Sequence, residues 1–202
     1  QETISPRFTY HGYRFIEITG IDKPLPVGAV KGVVLSSIHE LASRYETSNT
    51  QVNQLWKNIT WSSYGNFLSI PTDCPQRNER LGWAGDISVF SRTATYLADV
   101  PQFLRRYLRS MRDVQRTDGR FPDIAPLGGG FGGLLWGSAG ITVPWECYQQ
   151  YGDTILLSEH YDAMKRYIQY IIDNTIETET NLIVQTRSWG DLCDWLGLED
   201  EK

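Results

Sequence analysis

From residue 48 onward, apolar residues recur with the spacing of helices, and this period limits the chain to a mainly helical fold. Ser48 or Asn49 can cap a first helix, and further stripes follow Pro101 and Thr154. Consecutive helices joined by short connections pack into layered all-α architectures. The apolar positions of the first, second and last stripes are Val52, Leu55, Trp56, Ile59, Ile87, Phe90, Ala94, Leu97, Ala98, Tyr161, Met164, Ile168, Ile171 and Ile172. We expect the last stripe to be part of the core.

The first part of the chain has a different pattern, which predicts short strands. Residues 14–18 alternate polar and apolar side chains, and residues 30–38 form a second run rich in β-branched residues. So few strands cannot bury both faces of a sheet. They therefore pack on the helices that follow, or they are the last strands of a larger β domain. Residues 182–184 are another candidate strand.

Two segments between the helical stripes are harder to interpret. Residues 127–140 are rich in glycine but lack the GK[ST] ending of a phosphate-binding loop, so we expect a loop beside a pocket or on the surface. Trp136 in this segment is either a platform for a sugar or a core residue. A helix is predicted over residues 139–151, with Pro144 starting or kinking it and Gly152 ending it.

A polar segment, residues 73–86 with the sequence DCPQRNERLGWAGD, interrupts the helical pattern; we call it the motif loop. It combines carboxylates and arginines with one tryptophan. An aromatic ring can cover the apolar face of a sugar, while carboxylates accept hydrogen bonds from hydroxyls or exchange protons with a glycosidic oxygen. The structural alternative is a solvated loop whose acids and arginines only pair with one another.

The motif loop resembles the signature of the glycoside hydrolase family 78 α-L-rhamnosidases, usually written DCPQRDERLGWTGD. The segments FTYHGYRFIEITG, YETSNTQVNQLWKNITWSSYGNFLSIPT and VPWECYQQYGDTILLSEHYDAMKRYI are similar to the same family, so the resemblance covers nearly the whole chain. It implies that residues 1–45 are the C-terminal strands of a β-sandwich domain. Residues 46–202 would then be the first part of an (α/α)6 toroid, the catalytic domain. Because the helices are too few to close such a barrel, we expect a fragment that is inactive alone.

The resemblance also implies an activity, the inverting hydrolysis of terminal α-L-rhamnosides, and a role for each matching residue. Glu79 matches the general acid, so we expect its surroundings to raise its pKa. Asp73 and Asp86 match acids that bind the hydroxyls of rhamnose, and Trp83 matches an aromatic residue that packs on the sugar. Arg77 matches an arginine that organises the acids or contacts the ligand.

Other positions leave the assignment open. Asn78 replaces the usual aspartate of the motif, which removes a charge beside Glu79. The general base of the family is another glutamate, expected beyond the span of this chain; Glu146 is more typical of a structural partner. Trp189 and Trp195 are both candidates for a further tryptophan of the sugar site.

Composition excludes several classes of partner. The net charge is −5, the pI is near 5.2 and no basic run occurs, so we expect neither nucleic acid nor an anionic membrane as a partner. No apolar run approaches the ~20 residues that span a bilayer. The cysteines are three and far apart, so we expect no disulfide framework, no metal site and no cofactor. Cys74, with no histidine nearby in sequence, is expected to be buried and inert. We expect an extracellular or periplasmic rather than a cytoplasmic location.

Two alternatives to a rhamnosidase remain at this point. The chain is a non-catalytic sugar-binding or structural fragment, or it belongs to an α/α-toroid hydrolase of another glycoside. In every case the expected partner is a carbohydrate. An open set of helices leaves apolar faces uncovered, so we also expect the chain to self-associate.

Overall fold

The computed structural model describes residues 3–130 and 133–184, and these residues form a mainly helical structure. Five long helices carry it: α1 (Thr50–Asn66), α2 (Ala84–Leu97), α3 (Pro101–Asp113), α5 (Ala139–Tyr151) and α6 (Thr154–Asn174). A single-turn helix, α4 (Leu134–Gly137), precedes α5. Two two-residue strands, β1 (Phe67–Leu68) and β2 (Ile70–Pro71), pair in antiparallel orientation between α1 and the motif loop.

The ends of the helices follow signals present in the sequence. The Asn49 side chain caps α1 by accepting hydrogen bonds from the backbone N–H groups of Gln51 and Val52, at 2.9 and 3.3 Å. Pro101 begins α3, where its missing N–H costs nothing. Gly152 ends α5 in the left-handed conformation with φ +64°, which glycine adopts without steric penalty. These three predictions are confirmed.

The core lies where α2, α3, α5 and α6 pack together, with α5 in contact with each of the other three. Pro144 lies inside α5 rather than at its start. Trp136 is buried, and its ring packs on Gly85, so it is a core residue rather than a sugar platform. The buried apolar side chains include Ile87, Ala94, Leu104, Tyr107, Leu108, Met111, Val143, Cys147, Leu156, Ala163 and Tyr167.

The structure contradicts three sequence predictions. Residues 3–45 form no strand; this segment is mostly exposed, and its only helical element in the structure is a short 3₁₀ turn, Val27–Ala29. A strand needs a partner along its whole length, and among the described residues this segment has only one bridge, between Leu41 and Ala98. The predicted strand at 182–184 is reduced to one bridge between Ile176 and Ile183.

The third contradiction concerns α6, whose predicted core stripe faces largely outward. Tyr161, Ile168 and Ile172 are exposed, and the face that packs on α3 and α5 carries Leu156, His160, Ala163 and Tyr167 instead. The helix has apolar residues on two sides, so periodicity alone could not identify the buried one. Across the described residues, none of the helices has both the length and the apolar character needed to cross a bilayer.

Candidate active site

The backbone of the motif loop folds back on itself and brings its two ends together. The N–H of Asp73 donates to the carbonyl of Leu81 at 2.9 Å, and the N–H of Leu81 donates to the Asp73 carboxylate at 3.2 Å. Cys74 and Arg80 lie at the two turns of this loop, with φ of +40° and +52°. Side chains other than glycine rarely adopt such angles, and they persist where the surrounding contacts impose them. The closed loop therefore places Asp73 near Glu79.

Gly82 joins the motif loop to the helical core. Its carbonyl accepts a hydrogen bond from the hydroxyl of Tyr107 at 2.9 Å and another from the N–H of Ala125 at 3.0 Å. A Cβ at this position would lie 2.1 Å from the carbonyl oxygen of Ala125, so no other residue fits without a backbone shift. The next residues continue this pairing, since Trp83 bridges Ile124. The start of α2 is thereby fixed against residues 121–125.

Glu79 is held at both of its carboxylate oxygens. The indole N–H of Trp83 donates to Oε1 at 2.9 Å, and Arg77 donates to Oε2 from Nε at 3.0 Å and from Nη2 at 2.5 Å. The Trp83 bond first, and the Arg77 bond second, lower the pKa of Glu79 because both favour the charged carboxylate. The expectation of a raised pKa at Glu79 is therefore wrong for this state of the loop.

Asp73 is the carboxyl that retains its proton most readily. The pKa of Asp73 is raised to about 6, chiefly by burial and also by the neighbouring Glu79 carboxylate, while hydrogen bonds from Cys74 and from the Leu81 N–H act in the opposite direction. Two carboxyls that share a hydrogen bond titrate as a pair, and one of them keeps a proton to a higher pH. In this loop that carboxyl is Asp73, and Glu79 is the ionised partner.

Asp86 lies in the first turn of α2, immediately after the loop. Partial burial of the carboxyl raises the pKa of Asp86, and the negative charge of Glu79 raises it as well. A hydrogen bond from the backbone N–H of Asp86 acts in the opposite direction. The residue keeps an exposed surface, so the carboxyl is open to a ligand from solvent. Asn78, next to Glu79, is also exposed.

Three side chains of the loop could in principle ligate a metal ion. A carboxylate oxygen of Asp73, the sulfur of Cys74 and a carboxylate oxygen of Glu79 all lie within 4.8 Å of one another. However, the Glu79 oxygens already accept from Trp83 and from the Arg77 cation, which opposes a second positive charge. Burial, with the charge of Asp73, also raises the pKa of the Cys74 thiol, so it is not a ready thiolate ligand or nucleophile. The donor set fits a pair of carboxyls better than a metal centre.

The structure thus brings Asp73, Arg77, Glu79 and Trp83 into one contact group, with Asp86 close enough to Glu79 to sense its charge. Trp189 and Trp195 lie outside the described residues. Glu146 has a structural partner, since Arg92 Nε lies 4.0 Å from its carboxylate. Sequence reasoning missed Tyr107 and the segment 121–125, which support Gly82. Their partners are more than 20 residues away, so no local pattern could have identified them.

Comparison with known proteins gives the same family over the whole chain. Residues 40–202 match the family model of the bacterial α-L-rhamnosidase six-hairpin glycosidase domain, and residues 1–36 match that of the bacterial α-L-rhamnosidase concanavalin-like domain. An α-L-rhamnosidase of Streptomyces avermitilis is 41% identical over 203 aligned positions, which cover 100% of this chain and 19% of that protein. An α-L-rhamnosidase of Formosa agariphila is 40% identical, covering 82% of this chain and 18% of that protein.

Solved structures agree with the sequence relatives. The S. avermitilis α-L-rhamnosidase complexed with L-rhamnose superposes with a TM-score of 0.67 at 43% identity, over 70% of this chain and 14% of that one. The α-L-rhamnosidase of Aspergillus terreus gives 0.70 at 41% identity, over 77% of this chain and 18% of that one. The chain spans about a fifth of the length of the curated relatives it matches. The predicted mainly helical fold, part of an α/α toroid, is confirmed, and the chain belongs to the bacterial α-L-rhamnosidase family.

Proposed function

We propose that the protein carrying this chain hydrolyses terminal α-L-rhamnosides of glycans or glycosides, with inversion, and that Glu79 is its general acid. The observation that carries the proposal is the contact group of the motif loop. Glu79 lies between the indole N–H of Trp83 and the Asp73 carboxyl, in a chain about 40% identical to α-L-rhamnosidases. The chain covers a fifth of the length of its relatives, so the proposed activity is that of the whole protein.

The lowered pKa of Glu79 has a direct consequence for this mechanism. Without a sugar, Glu79 is ionised and paired with Arg77, whose side chain is 60% exposed to solvent. A sugar bound over Trp83 would exclude water and compete with Arg77 for the loop, and both effects raise the pKa of a carboxyl. The proton then passes from Asp73 to Glu79 through their hydrogen bond, and from Glu79 to the glycosidic oxygen.

The remaining residues bind the sugar in this proposal. Asp73 and Asp86 exchange hydrogen bonds with its hydroxyls, and Trp83 covers its apolar face. Inversion requires a second carboxylate that activates water, at about 6.5–9.5 Å from the acid. Asp73, which lies against Glu79, is too close for that role. The base therefore comes from outside the motif loop.

Replacement of Glu79 tests the proposal in the protein that carries the chain. Glu79→Gln keeps the size and the Trp83 bond but removes the transferable proton, and we expect kcat to fall by about 10²–10⁴-fold. The loss should be smaller for aryl rhamnosides whose leaving group needs no protonation. Glu17→Gln, at an exposed position, is the matched control. Full activity of Glu79→Gln would remove Glu79 from the mechanism, and NMR of the first-formed anomer tests inversion.

The 202 residues by themselves fit a second role, sugar binding without hydrolysis. They hold the contact group of the motif loop but span a fifth of the relatives. Calorimetry with L-rhamnose on this chain should show binding that is weakened by Trp83→Ala. Measurable hydrolysis by the chain would contradict this second role, and a panel of aryl glycosides would reveal a preference for another sugar.

A further inference from the structure

The exposed N-terminal segment crosses the motif loop at residues 10–12. Arg80 donates from Nη2 to the carbonyl oxygen of Tyr10 at 2.7 Å, a contact between residues 70 positions apart. The guanidinium carbon also lies 4.2 Å from the centroid of the Tyr10 ring, within the range of a cation–π contact. One step further, a Cβ at Gly12 would lie 2.7 Å from Cβ of Gln76, so the two backbones meet closely.

Arg80 lies in the backbone directly beside Glu79, at a turn of the motif loop. It follows Glu79 directly, with a φ of +52°, and it precedes Leu81, whose backbone closes the loop on Asp73. An arginine keeps such an angle only where other contacts impose it. The Nε of Arg80 is buried without a hydrogen-bond partner among residues 3–130 and 133–184. The guanidinium therefore depends on its contacts with Tyr10.

We propose that Arg80 is a positioning residue, which binds Tyr10 of the N-terminal segment and thereby holds Glu79 at the glycosidic oxygen. Residues 1–36 and 40–202 match different domain models, so this contact joins two segments that the family treats as separate domains. The inference rests on the proposed function, because it assumes that Glu79 transfers the proton. Arg77 differs from Arg80 in this respect, since it contacts the Glu79 carboxylate itself.

Hydrogen–deuterium exchange of the protein that carries the chain tests the contact without any assay of activity. Arg80→Met keeps the length of the side chain but loses its charge, and we expect exchange over residues 73–83 to rise about tenfold or more. Arg80→Lys, which keeps a cation and a donor, should restore part of the protection. Tyr10→Ala removes the ring but keeps the backbone carbonyl, so it should show part of the effect of Arg80→Met, and Tyr10→Phe, which keeps the ring, should behave as the wild type. Arg92→Met is the control, at an exposed arginine of α2.

The kinetic test compares aryl rhamnosides with a poor and with a good leaving group. A displaced acid slows the substrate with the poor leaving group more than the substrate with the good one. Arg80→Met should therefore lower the ratio of kcat for the poor leaving group to kcat for the good leaving group about tenfold. A merely structural defect lowers the active fraction and leaves this ratio unchanged. Unchanged exchange in Arg80→Met, or raised exchange with an unchanged ratio, would overturn the inference. Glu79→Gln with a wild-type ratio would instead refute the proposed acid, while the exchange rates would still report the contact.

Discussion

His160 on α6 is fully buried, and lowering the pH should therefore destabilise the fold. Its ring stacks on Phe121 with 5.4 Å between centroids and 5° between planes, and neither ring nitrogen has a hydrogen-bond partner within the described part of the chain. Burial lowers the pKa of His160 from near 6.5 to about 4, and the nearby charges of Arg112 and Arg166 contribute in the same direction. The native state consequently holds this imidazole neutral.

The size of the effect follows from that shift. Between pH 6.5 and about 4 the unfolded chain binds a proton at His160 that the native chain does not, so the free energy of unfolding rises with pH. This contribution is fully present above pH 6.5 and is lost as the pH falls to about 4. At 1.36 kcal/mol per unit, the loss is about 3 kcal/mol.

Urea unfolding of the chain, followed by circular dichroism between pH 7 and pH 4, measures this loss. Asp73 titrates in the same range with the opposite sign, because its raised pKa favours the native state as the pH falls. The comparison is therefore made against His160→Leu, which lacks only the titrating ring, with His39→Gln as the exposed control. The stability difference between the wild type and His160→Leu should shift by about 3 kcal/mol across this range. A difference independent of pH would refute the reasoning.

Three further outcomes are expected. Asp153→Ala should lower the free energy of unfolding in urea by about 2 kcal/mol, because it removes the cap of α6 and the partly screened ion pair with Arg105. Asp162→Ala, the control on the same helix, should change it little. Gly82→Ala should cost about 1–3 kcal/mol through its clash with the Ala125 carbonyl, whereas Gly65→Ala, in open space on α1, should be neutral or stabilising; equal effects would contradict the role of Gly82. Light scattering should show self-association of the isolated chain through exposed faces such as that of α6, and a clean monomer would argue against it.

The helices and the chemistry of the motif loop could be predicted from sequence because their causes are local. A cap such as Asn49 or a helix-ending glycine such as Gly152 acts within a few residues of itself. The motif loop likewise carries its carboxylates, arginines and tryptophan in one stretch. Their grouping required only that the stretch turn back on itself.

The tertiary structure decided everything that depends on partners distant in sequence. Residues 3–45 have strand-like composition, but a strand forms only where another strand completes its hydrogen bonds. The buried side of α6 is set by α3 and α5, and the place of Trp136 by its packing on Gly85. These contacts cannot be predicted from the spacing of residues in the sequence.

The difference between what sequence and tertiary structure determine is clearest for the two carboxyls, Asp73 and Glu79. The amino-acid sequence determined which acids are present, and it made Glu79 the expected holder of the proton. The fold raises the pKa of Asp73 and lowers that of Glu79, because it buries the first carboxyl and gives the second two donors, Trp83 and Arg77. A pKa depends on the solvent, charges and hydrogen bonds around a group, and only three-dimensional packing sets these.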